Sequence, residues 1–492
     1  MTVAATESTL GDRILPAPDI LRHVVALARH DRVMCSDGYD RALDYVAAHL
    51  GCPESWVKRI QIAADESFWG WSVPASIRHW KDGRPDPDMR IPTDRPLTVL
   101  EVRIPGARAA EILLVAHVCH PAPAANDNAS GVAMCMELVR YYASHPPHFT
   151  LRFLFTAEYW GTVAFCARRE SALPQVVAGI SVDMVGADEN VCGSTLVVDE
   201  IPDHLASCLD LILWDNVQTA ARQARYRAIG NRLTGHRCDF QYYTAGSDHY
   251  ILNDGSVGIP STAIGADRDR FNHTLDDTPD KLSPDALNLC FTALVAALEQ
   301  FSDPTDGGVD RRARLILQRY SDATHLALRH AEVEQLPVEE RAFRAIHTYR
   351  HAAARLRSLA ESHPTAQVAV WSGLLVEQFE HLKKVFGVRA GYDDAAATMQ
   401  PGLRVRKTFK GPLYRNALYA RLTPAETARI AGWLEQDALF FHKLDAALNY
   451  GERFSLTEID WLLRLHYGGE HCQSRLTWTV ELLTRHGLAQ TV

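Results

Sequence analysis

Histidine and carboxylate side chains stand where several apolar runs of the sequence end. His117 closes the run ILLVAH, Glu158 follows LRFLFTA, and Asp183 interrupts ISVDMVG. Asp127 lies between two asparagines in NDNASG, and His273 occurs in FNHTLDDTPD. The carboxyl ends of strands line the ligand crevice of an open α/β sheet, so such side chains can converge on one ion. Histidine and carboxylate ligands without cysteine suit a catalytic zinc that keeps one position for water.

Hydrolysis is the chemistry that such a site would perform. A bound zinc lowers the pKa of its water ligand toward neutrality, and an unligated carboxylate nearby can take up the proton. Glu158 is the predicted general base, because the apolar run before it delivers it to the same edge of the sheet. Asp183 supports a cation for another reason, since a carboxylate among Ile, Val and Met side chains is costly to bury without a partner.

The elements that must position these residues alternate along the chain. Apolar runs cover 112–116, 151–155, 180–185 and 257–264, and helical patterns cover 130–144 and 162–171. Buried strands that alternate with helices predict an α/β fold in which a mostly parallel, mixed sheet is sandwiched by helices.

The length of the chain indicates more than one domain. At 492 residues it exceeds one ordinary domain, and the stretch SDPTDGGVD reads as a linker after the α/β pattern. We predict an α/β domain at 1–305, a helical region at 306–400 and a winged-helix-like domain at 401–492. The last prediction rests on two amphipathic helices followed by a terminal extended piece.

A segment rich in Trp and Pro, residues 66–97, is predicted to be an insertion or a lid over the cleft. Trp69, Trp71 and Trp80 within it fit an apolar substrate subsite, a lid or plain core packing. The sequence leaves these three interpretations open.

Taken together and in this order, the motifs resemble the co-catalytic zinc exopeptidases of the aminopeptidase and glutamate carboxypeptidase type. The resemblance covers about residues 15 to 300. It implies that His117 and Asp183 bind one metal, that Asp127 bridges two metals, and that His273 binds the second. It also implies that Glu158 is the general base. The run HVCHPAPAANDNASG and the long tail are closest to a poorly characterised bacterial aminopeptidase-like subgroup with a C-terminal winged-helix domain.

Two positions depart from the family pattern. Tyr159 stands where the family has a second glutamate that binds the second metal, so we expect one firmly bound zinc and leave the second site open. Cys119 stands where the family has an aspartate, and His120 follows it. Either residue could replace a missing ligand, although Cys119 is favoured as a small residue that supports the ligands and His120 as a residue of the cleft. We expect supporting or cleft roles for Asp248 and His249, and Tyr159 is a possible supporting residue or extra ligand.

Charge and composition exclude several classes of protein. Lys+Arg 51 against Asp+Glu 60 gives a net charge of -9, and residues 434–492 carry five basic against eight acidic side chains. Such a tail repels phosphates, so we expect no nucleic-acid partner. The start of the chain lacks a signal-peptide pattern and no apolar run reaches membrane-spanning length, which predicts a cytoplasmic protein without a membrane partner. Ten scattered cysteines predict reduced thiols.

The leading hypothesis is a zinc-dependent exopeptidase that hydrolyses a peptide or aminoacyl amide bond, with amino- or carboxypeptidase polarity undecided. The alternative is a non-catalytic or regulatory protein that keeps the peptidase fold and binds a peptide or protein partner. In that case Glu158 is a structural carboxylate. The helical region and the tail are expected to form a homo-oligomer or to bind a protein, and the basic loop of Arg404, Arg406, Lys407 and Lys410 could grip an acidic peptide.

Overall fold

The computed structural model of the 492-residue chain covers most of its length. Residues described are 17–63, 65–73, 76–81, 84–92, 95–121, 123–223, 226–228, 231–233, 236–333, 335–363, 365–386, 402–414, 418–434, 440–450, 453–467 and 473–492. All structural statements below refer to these residues.

The described residues form sixteen strands. They are β1 (Val57–Ile62), β2 (Ser67–Phe68), β3 (Trp71–Ser72), β4 (Ser76–Lys81), β5 (Arg84–Pro92), β6 (Leu97–Ile104), β7 (Arg108–His117), β8 (Phe149–Thr156), β9 (Val176–Val182), β10 (Thr195–Asp199), β11 (Tyr226–Ala228), β12 (Asn231–Leu233), β13 (Cys238–Gln241), β14 (Ser261–Asp267), β15 (Val405–Lys407) and β16 (Ala489–Thr491). Eight of them build one sheet in the order β1-β6-β8-β7-β9-β14-β10-β13. The central strands β8, β7, β9 and β14 run parallel to one another, and the flanking pairs β6 with β8 and β14 with β10 are antiparallel.

Fifteen α-helices lie in the same described ranges. They are α1 (Ala17–Leu27), α2 (Asp37–His49), α3 (Gly131–Ser144), α4 (Trp160–Arg168), α5 (Glu189–Cys192), α6 (Leu209–Gln223), α7 (His249–Leu252), α8 (Pro284–Phe301), α9 (Asp306–Val333), α10 (Val338–Ser362), α11 (Ala366–Phe386), α12 (Pro424–Leu434), α13 (Phe440–Leu448), α14 (Leu456–Tyr467) and α15 (Gln473–Arg485). The connections β7-α3-β8 and β8-α4-β9 run in opposite directions along the sheet, so right-handed crossovers put α3 and α4 on opposite faces. The predicted mixed sheet sandwiched by helices is confirmed.

The apolar sequences of the central strands explain why these strands are buried. Every residue of β8 is buried, and β7 and β9 are buried over most of their length. Strands covered on both faces need such continuous apolar runs. The runs ILLVA and LRFLF therefore fix two neighbouring strands whose carboxyl ends open at the same edge of the sheet.

The chain beyond the sheet is helical and then mixed. α9, α10 and α11 pack against one another after Asp306. In the C-terminal part, 402–492, the described residues form four helices and a two-stranded antiparallel sheet in which β15 pairs with β16. The two expected amphipathic helices correspond to α14 and α15, while the winged-helix assignment and the domain boundaries stay predictions.

The Trp- and Pro-rich segment forms short strands. β2 pairs with β3, and β4 pairs with β5. Trp71 is buried and donates a hydrogen bond from Nε1 to the carbonyl of Pro412 at 2.9 Å. Trp71 therefore packs against the C-terminal part of the chain, and the side chain of Trp80 lies outside the described residues.

Two further findings concern cysteines and membranes. The nine cysteines of the described part are all free thiols, and Cys472 lies outside it. None of the helices in the described part combines the length and the hydropathy that crossing a bilayer requires.

Candidate functional site

Three predicted site residues lie at the carboxyl ends of adjacent strands. His117 is the last residue of β7 and is paired with Thr156 of β8, Glu158 follows two residues later, and Asp183 comes directly after β9. Nε2 of His117 lies 3.2 Å from Oδ2 of Asp183. The parallel order β8-β7-β9 is therefore what brings these side chains together.

Asp127 joins the group from the turn before α3 and faces three imidazoles. Its Oδ1 lies 3.4 Å from Nε2 of His117 and 3.3 Å from Nε2 of His120, and its Oδ2 lies 3.1 Å from Nε2 of His273. The Asp127 side chain is 6% exposed, whereas that of His273 is 58% exposed. The two oxygens of one buried carboxylate thus face opposite sides of a cluster that opens to solvent at His273.

Burial and charge act against each other on the ionisation of this cluster. Burial disfavours the charged form of Asp127, but His120, His273 and His117 hold its pKa well below the ordinary value. Burial likewise opposes protonation of His117, but Asp183 and Glu158 hold its pKa well above the usual range. For Glu158 burial prevails, and it raises the pKa to about 8 although His117 acts in the opposite direction. The site therefore contains a carboxyl group whose pKa suits proton transfer near neutral pH.

The donor set fits a divalent metal ion. Two groups have ligand atoms within 4.8 Å of one another: His117, His120 and Asp127, and His117, Glu158 and Asp183. Oδ1 of Asp183 is buried and has no hydrogen-bond partner among the described residues. A buried carboxylate oxygen without a partner is costly, and a cation would compensate it. Imidazole and carboxylate ligands are those that zinc prefers at catalytic sites.

The loops that carry the ligands are tied to one another by amide side chains. Oδ1 of Asn128 accepts hydrogen bonds from the backbone N–H groups of Gly131 at 2.9 Å and Met184 at 3.1 Å. Oδ1 of Asn126 accepts another from Gly186 at 3.0 Å. Both asparagines therefore hold the segment after β9, which carries Asp183, against the turn that carries Asp127.

Asp277 fixes the same turn from the other side. Its two carboxylate oxygens accept hydrogen bonds from the backbone N–H groups of Asn126 at 2.8 Å and Asp127 at 3.0 Å. Burial raises the pKa of Asp277 to about 6. Asn126, Asn128 and Asp277 were not among the predicted site residues, although all three lie inside the motifs NDNASG and HTLDDT that pointed to the site.

Arg32 is a further supporting residue that was not predicted from the sequence. Its buried guanidinium donates hydrogen bonds to backbone carbonyls of residues 118–124, including 2.9 Å to Val118 and 2.7 Å to Ala124. Its own backbone forms a mutual pair of 3.0 Å hydrogen bonds with His120. The loop between His117 and Asp127 is thereby clamped. No local motif marks this arginine, because its partners in the loop are about 90 residues away.

Cys119 and His120 occupy different positions around the cluster. Sγ of Cys119 accepts a hydrogen bond of 3.2 Å from the backbone N–H of Glu158, and the backbone carbonyl of Cys119 lies 3.3 Å from Nδ1 of His117. Burial raises the pKa of the Cys119 thiol, so it stays protonated. His120 instead directs its ring nitrogen at Asp127 and lies 4.0 Å from Glu158. Cys119 therefore supports neighbouring residues, whereas His120 belongs to the donor set.

The other two predicted supporting residues, Asp248 and His249, have different contacts. Oδ1 of Asp248 accepts hydrogen bonds from the backbone N–H of Tyr159 at 2.9 Å and the hydroxyl of Thr162 at 2.8 Å, so it holds the turn that carries Glu158. Nε2 of His249 lies 3.1 Å from Oδ2 of Asp199, at the end of β10. Asp248 thus supports the turn that carries Glu158, whereas His249 contacts the end of β10.

An aromatic group next to Glu158 is completed by the C-terminal part of the chain. The Tyr159 ring lies 5.9 Å from that of Tyr250 and 6.3 Å from that of Trp71, measured between centroids. Tyr414 stacks on Trp71 at 4.6 Å, and His442 of α13 lies 4.8 Å from Tyr250. The C-terminal part therefore forms one side of the surroundings of Tyr159.

The basic loop has partners inside the chain. Lys407 forms an ion pair with buried Asp254 and donates a 2.8 Å hydrogen bond to the carbonyl of Gly411, and Lys410 forms an ion pair with Glu170. Arg406 donates a hydrogen bond to Gln490. Lys407 is therefore held by buried carboxylates, and the idea that this loop grips an acidic peptide stays a prediction.

Comparison with known proteins finds similarity to a domain of unknown function and to a protein with an aminopeptidase-like domain. A domain of unknown function, DUF4910, matches residues 22–198. A curated protein of Clostridium acetobutylicum, described as a "Putative polysaccharide biosynthesis protein with aminopeptidase-like domain", is 34% identical over 93 residues. The match covers 19% of this chain and 21% of that protein, so the chain spans about a fifth of the relative that it matches. The predicted resemblance to aminopeptidases is confirmed.

Several solved structures are similar to this chain at low identity. A protein of Clostridium acetobutylicum described as a "putative peptidase" is 15% identical with a TM-score of 0.48, over 58% of this chain and 80% of that one. A glutaminyl cyclase of an Acidobacteriales bacterium is 18% identical, with a TM-score of 0.43, over 61% and 99%. BSAP, a zinc aminopeptidase of Bacillus subtilis, is 15% identical, with a TM-score of 0.43, over 58% and 95%. These values concern the fold and say nothing about the reaction of this chain.

Proposed function

We propose that this protein is a zinc-dependent exopeptidase that hydrolyses a peptide or aminoacyl amide bond. The observation that carries the proposal is the position of Glu158 beside the convergent donors His117, Asp127 and Asp183 at one edge of the sheet. A carboxyl group that can exchange a proton near neutral pH, next to a donor set suited to zinc, is the combination that amide hydrolysis requires.

Two groups of residues would hold zinc. His117, Asp127 and Asp183 form one donor set, whose contacts with Nε2 of His117 are 3.4 Å and 3.2 Å. Asp127, His120 and His273 form the other, whose contacts with Asp127 are 3.3 Å and 3.1 Å. In this proposal His120 supplies the donor that the family takes from the position of Tyr159. The second donor set then has three protein ligands, where the sequence pattern alone counted two.

The chain's own residues would do the following work. Zinc, when bound, supplies a Lewis acid for the scissile carbonyl and makes water a stronger acid. Glu158 takes the proton of the attacking water and passes it to the leaving amine. Asp248 keeps Glu158 in reach by holding the backbone of Tyr159, and Cys119 does so by accepting from the backbone N–H of Glu158. The aromatic group around Tyr159 offers an apolar wall for a substrate side chain.

The test combines zinc content with turnover. Purified full-length protein is loaded with zinc, and its metal content and its activity on a panel of short peptides and aminoacyl amides are measured. We expect Glu158→Gln to retain zinc and to lose activity by about 10²- to 10⁴-fold. Glu54→Gln, a change at an exposed glutamate of the described chain, is the matched control and should keep both.

Other outcomes identify the alternative function. A wild-type protein that binds zinc but turns over no member of the panel would support a non-catalytic protein that binds a peptide or protein partner. Full activity of Glu158→Gln would contradict the assigned role of this carboxyl group. Release of residues from the amino or the carboxyl end of longer peptides, read by mass spectrometry, would settle the polarity.

We further propose that the chain forms a homo-oligomer through its helical region. Helix α11 exposes Val370, Leu374 and Val385 at 54%, 40% and 60%. Exposed apolar residues on one helix are costly in water and favour contact with a second copy. Light scattering of the full-length chain should give a mass above that of one subunit, and Leu374→Glu should reduce it. A monomer at every concentration would contradict this proposal.

A further inference from the structure

A second cluster of histidines surrounds one aspartate outside the site at the sheet edge. Asp203 lies in the connection between β10 and α6, His347 and His351 lie one turn apart on α10, and His466 lies on α14. The four side chains are between 5% and 14% exposed. The cluster thus joins the α/β unit, the helical region and the C-terminal part.

One oxygen of the Asp203 carboxylate faces two imidazole nitrogens. Oδ2 lies 2.6 Å from Nε2 of His347 and 2.8 Å from Nε2 of His466. The three atoms all lie within 4.8 Å of one another. Nε2 of His466 is buried, and its contact with Oδ2 is not aligned as a hydrogen bond. Both nitrogens therefore point at the same small volume beside Oδ2.

His351 occupies the other oxygen and has a defined tautomer. Its Nε2 accepts a 3.0 Å hydrogen bond from Nε of Arg355, so the ring proton is on Nδ1. Nδ1 lies 3.0 Å from Oδ1 of Asp203 and donates to it. Carboxylates that bind metals are commonly oriented by such a hydrogen bond to the second oxygen.

The ionic contacts of the Asp203 carboxylate in the described part of the chain are with histidines and not with arginines. In the described part of the chain, the neighbouring cations pair with other carboxylates, Arg319 with Glu200 and Arg355 with Asp210. The ion pairs that Asp203 itself forms there are with imidazoles. A buried carboxylate and two imidazole nitrogens are therefore available to a cation without breaking an arginine salt bridge.

We propose that Asp203, His347 and His466 form a second binding site for a divalent transition metal, with zinc as the preferred ion. Zinc with bonds of about 2.0 to 2.2 Å holds tetrahedral ligand atoms about 3.3 Å apart, so the present contacts must lengthen by less than about 1 Å. A cavity of about 190 Å³, lined by Glu200, Tyr242 and His466 among others, reaches the cluster and has room for water as the fourth ligand.

Such an ion would fasten three parts of the chain together. Its ligands come from a loop of the α/β unit, from α10 and from α14, and they are separated by 144 and 119 residues in sequence. Metal binding at a site that exists only in the folded, docked chain adds its binding free energy to the stability of that arrangement. The role is structural and is independent of turnover at the sheet edge.

Counting metal in the full-length chain tests this proposal. Protein without a polyhistidine tag is stripped with a chelator, reloaded with zinc, desalted and assayed for zinc by plasma mass spectrometry. His347→Gln and His466→Gln, which lie on different helices, should each bind one equivalent less than wild type. His325→Gln, an exposed histidine on α9, is the matched control and should bind the same amount. Asp183→Asn should lose zinc from the other site and keep this equivalent.

The proposal is overturned if His347→Gln and His466→Gln, folded by circular dichroism, bind as much zinc as wild type. Anomalous scattering at the zinc edge from zinc-loaded crystals of wild type decides the question even if both variants fail to fold. A peak between Asp203, His347 and His466 supports the site. A map with no peak there, from crystals that show zinc at Asp183, contradicts it.

Discussion

Nη2 of Arg32 donates a 2.7 Å hydrogen bond to the backbone carbonyl of Ala124, at the far end of the loop that joins His117 to Asp127. The same guanidinium bonds the carbonyl of Val118, at the near end of that loop. One buried arginine therefore sets the distance between two of the proposed zinc ligands. Burial lowers its pKa to about 10, and the group remains charged at neutral pH.

Replacing Arg32 with Met should weaken both the fold and the zinc site. Several buried carbonyls would lose their donor, at about 1 to 3 kcal/mol each, so we expect a loss of at least about 3 kcal/mol in stability. Zinc affinity should fall by about 10- to 100-fold because the supporting contacts are gone. Scanning calorimetry and zinc titration measure the two effects. Arg29→Met, at an exposed position, is the control, and equal behaviour of the two variants would contradict the assigned role.

A methyl group at Gly131 should separate α3 from β9. Its Cβ would lie 2.2 Å from the carbonyl oxygen of Val182 and 2.3 Å from Oδ1 of Asn128. Overpacking of this kind costs about 1 to 3 kcal/mol, and it should also disturb the Asn128 contact that holds the Asp183 segment. We expect Gly131→Ala to melt at a lower temperature and to bind zinc more weakly.

Gly373 provides the matched comparison for Gly131. It lies within α11, and a Cβ there would have no neighbour within 4 Å among the described residues. Gly373→Ala should therefore raise the stability of its helix by up to about 1 kcal/mol. Thermal melts of the two variants should shift in opposite directions, and a parallel shift would refute the steric explanation.

Glu158 should make the stability of the metal-free protein depend on pH. Burial raises its pKa from an ordinary value of 4.5 to about 8, so between these values the folded chain holds a proton that the unfolded chain has released. Stability must therefore decrease as pH rises through this window. In the presence of a chelator, the melting temperature should fall more between about pH 5 and 8 for wild type than for Glu158→Gln. The contribution of Asp277 is common to both proteins, so equal slopes would rule out a raised pKa for Glu158.

Lys407 should contribute far more to stability than Lys410. Its ammonium group lies between Asp254 and Asp445, both 1% exposed, so Lys407→Met leaves two buried carboxylates without their cation. The expected loss is about 3 to 5 kcal/mol, with faster proteolysis of the C-terminal part. Lys410 and Glu170 are 35% and 54% exposed, and Lys410→Met should cost less than about 1 kcal/mol. Similar losses for both variants would show that burial of the pair is not the cause.

The sequence predicts the sheet edge because His117, Glu158 and Asp183 each follow an apolar run. ILLVA and LRFLF specify buried strands, and the carboxyl ends of parallel strands meet at one edge, so His117, Glu158 and Asp183 could be assigned to it from the sequence alone. This information is local in sequence. The mixed sheet, the helical layers and the convergence of these side chains all follow from it.

Long-range partners could not be predicted in the same way. Arg32 acts on carbonyls about 90 residues away, and Asp203 meets His347 and His466 from two other parts of the chain. Isolated residues of these types usually lie at the surface or pair with a neighbour, and no periodicity distinguishes them. His347 and His351 are four residues apart on one helix, which is the single local signal that could have drawn attention to the second cluster.

The side chain of Trp71 hydrogen-bonds to Pro412, 341 residues later in the chain. During synthesis at about 5 to 20 residues per second, this partner emerges roughly 20 to 70 s after the tryptophan. For all of that time the nascent α/β unit exposes the aromatic surface that Tyr414 later covers. Burial of Trp71 against Pro412 and Tyr414 therefore comes only after the C-terminal part has been synthesised.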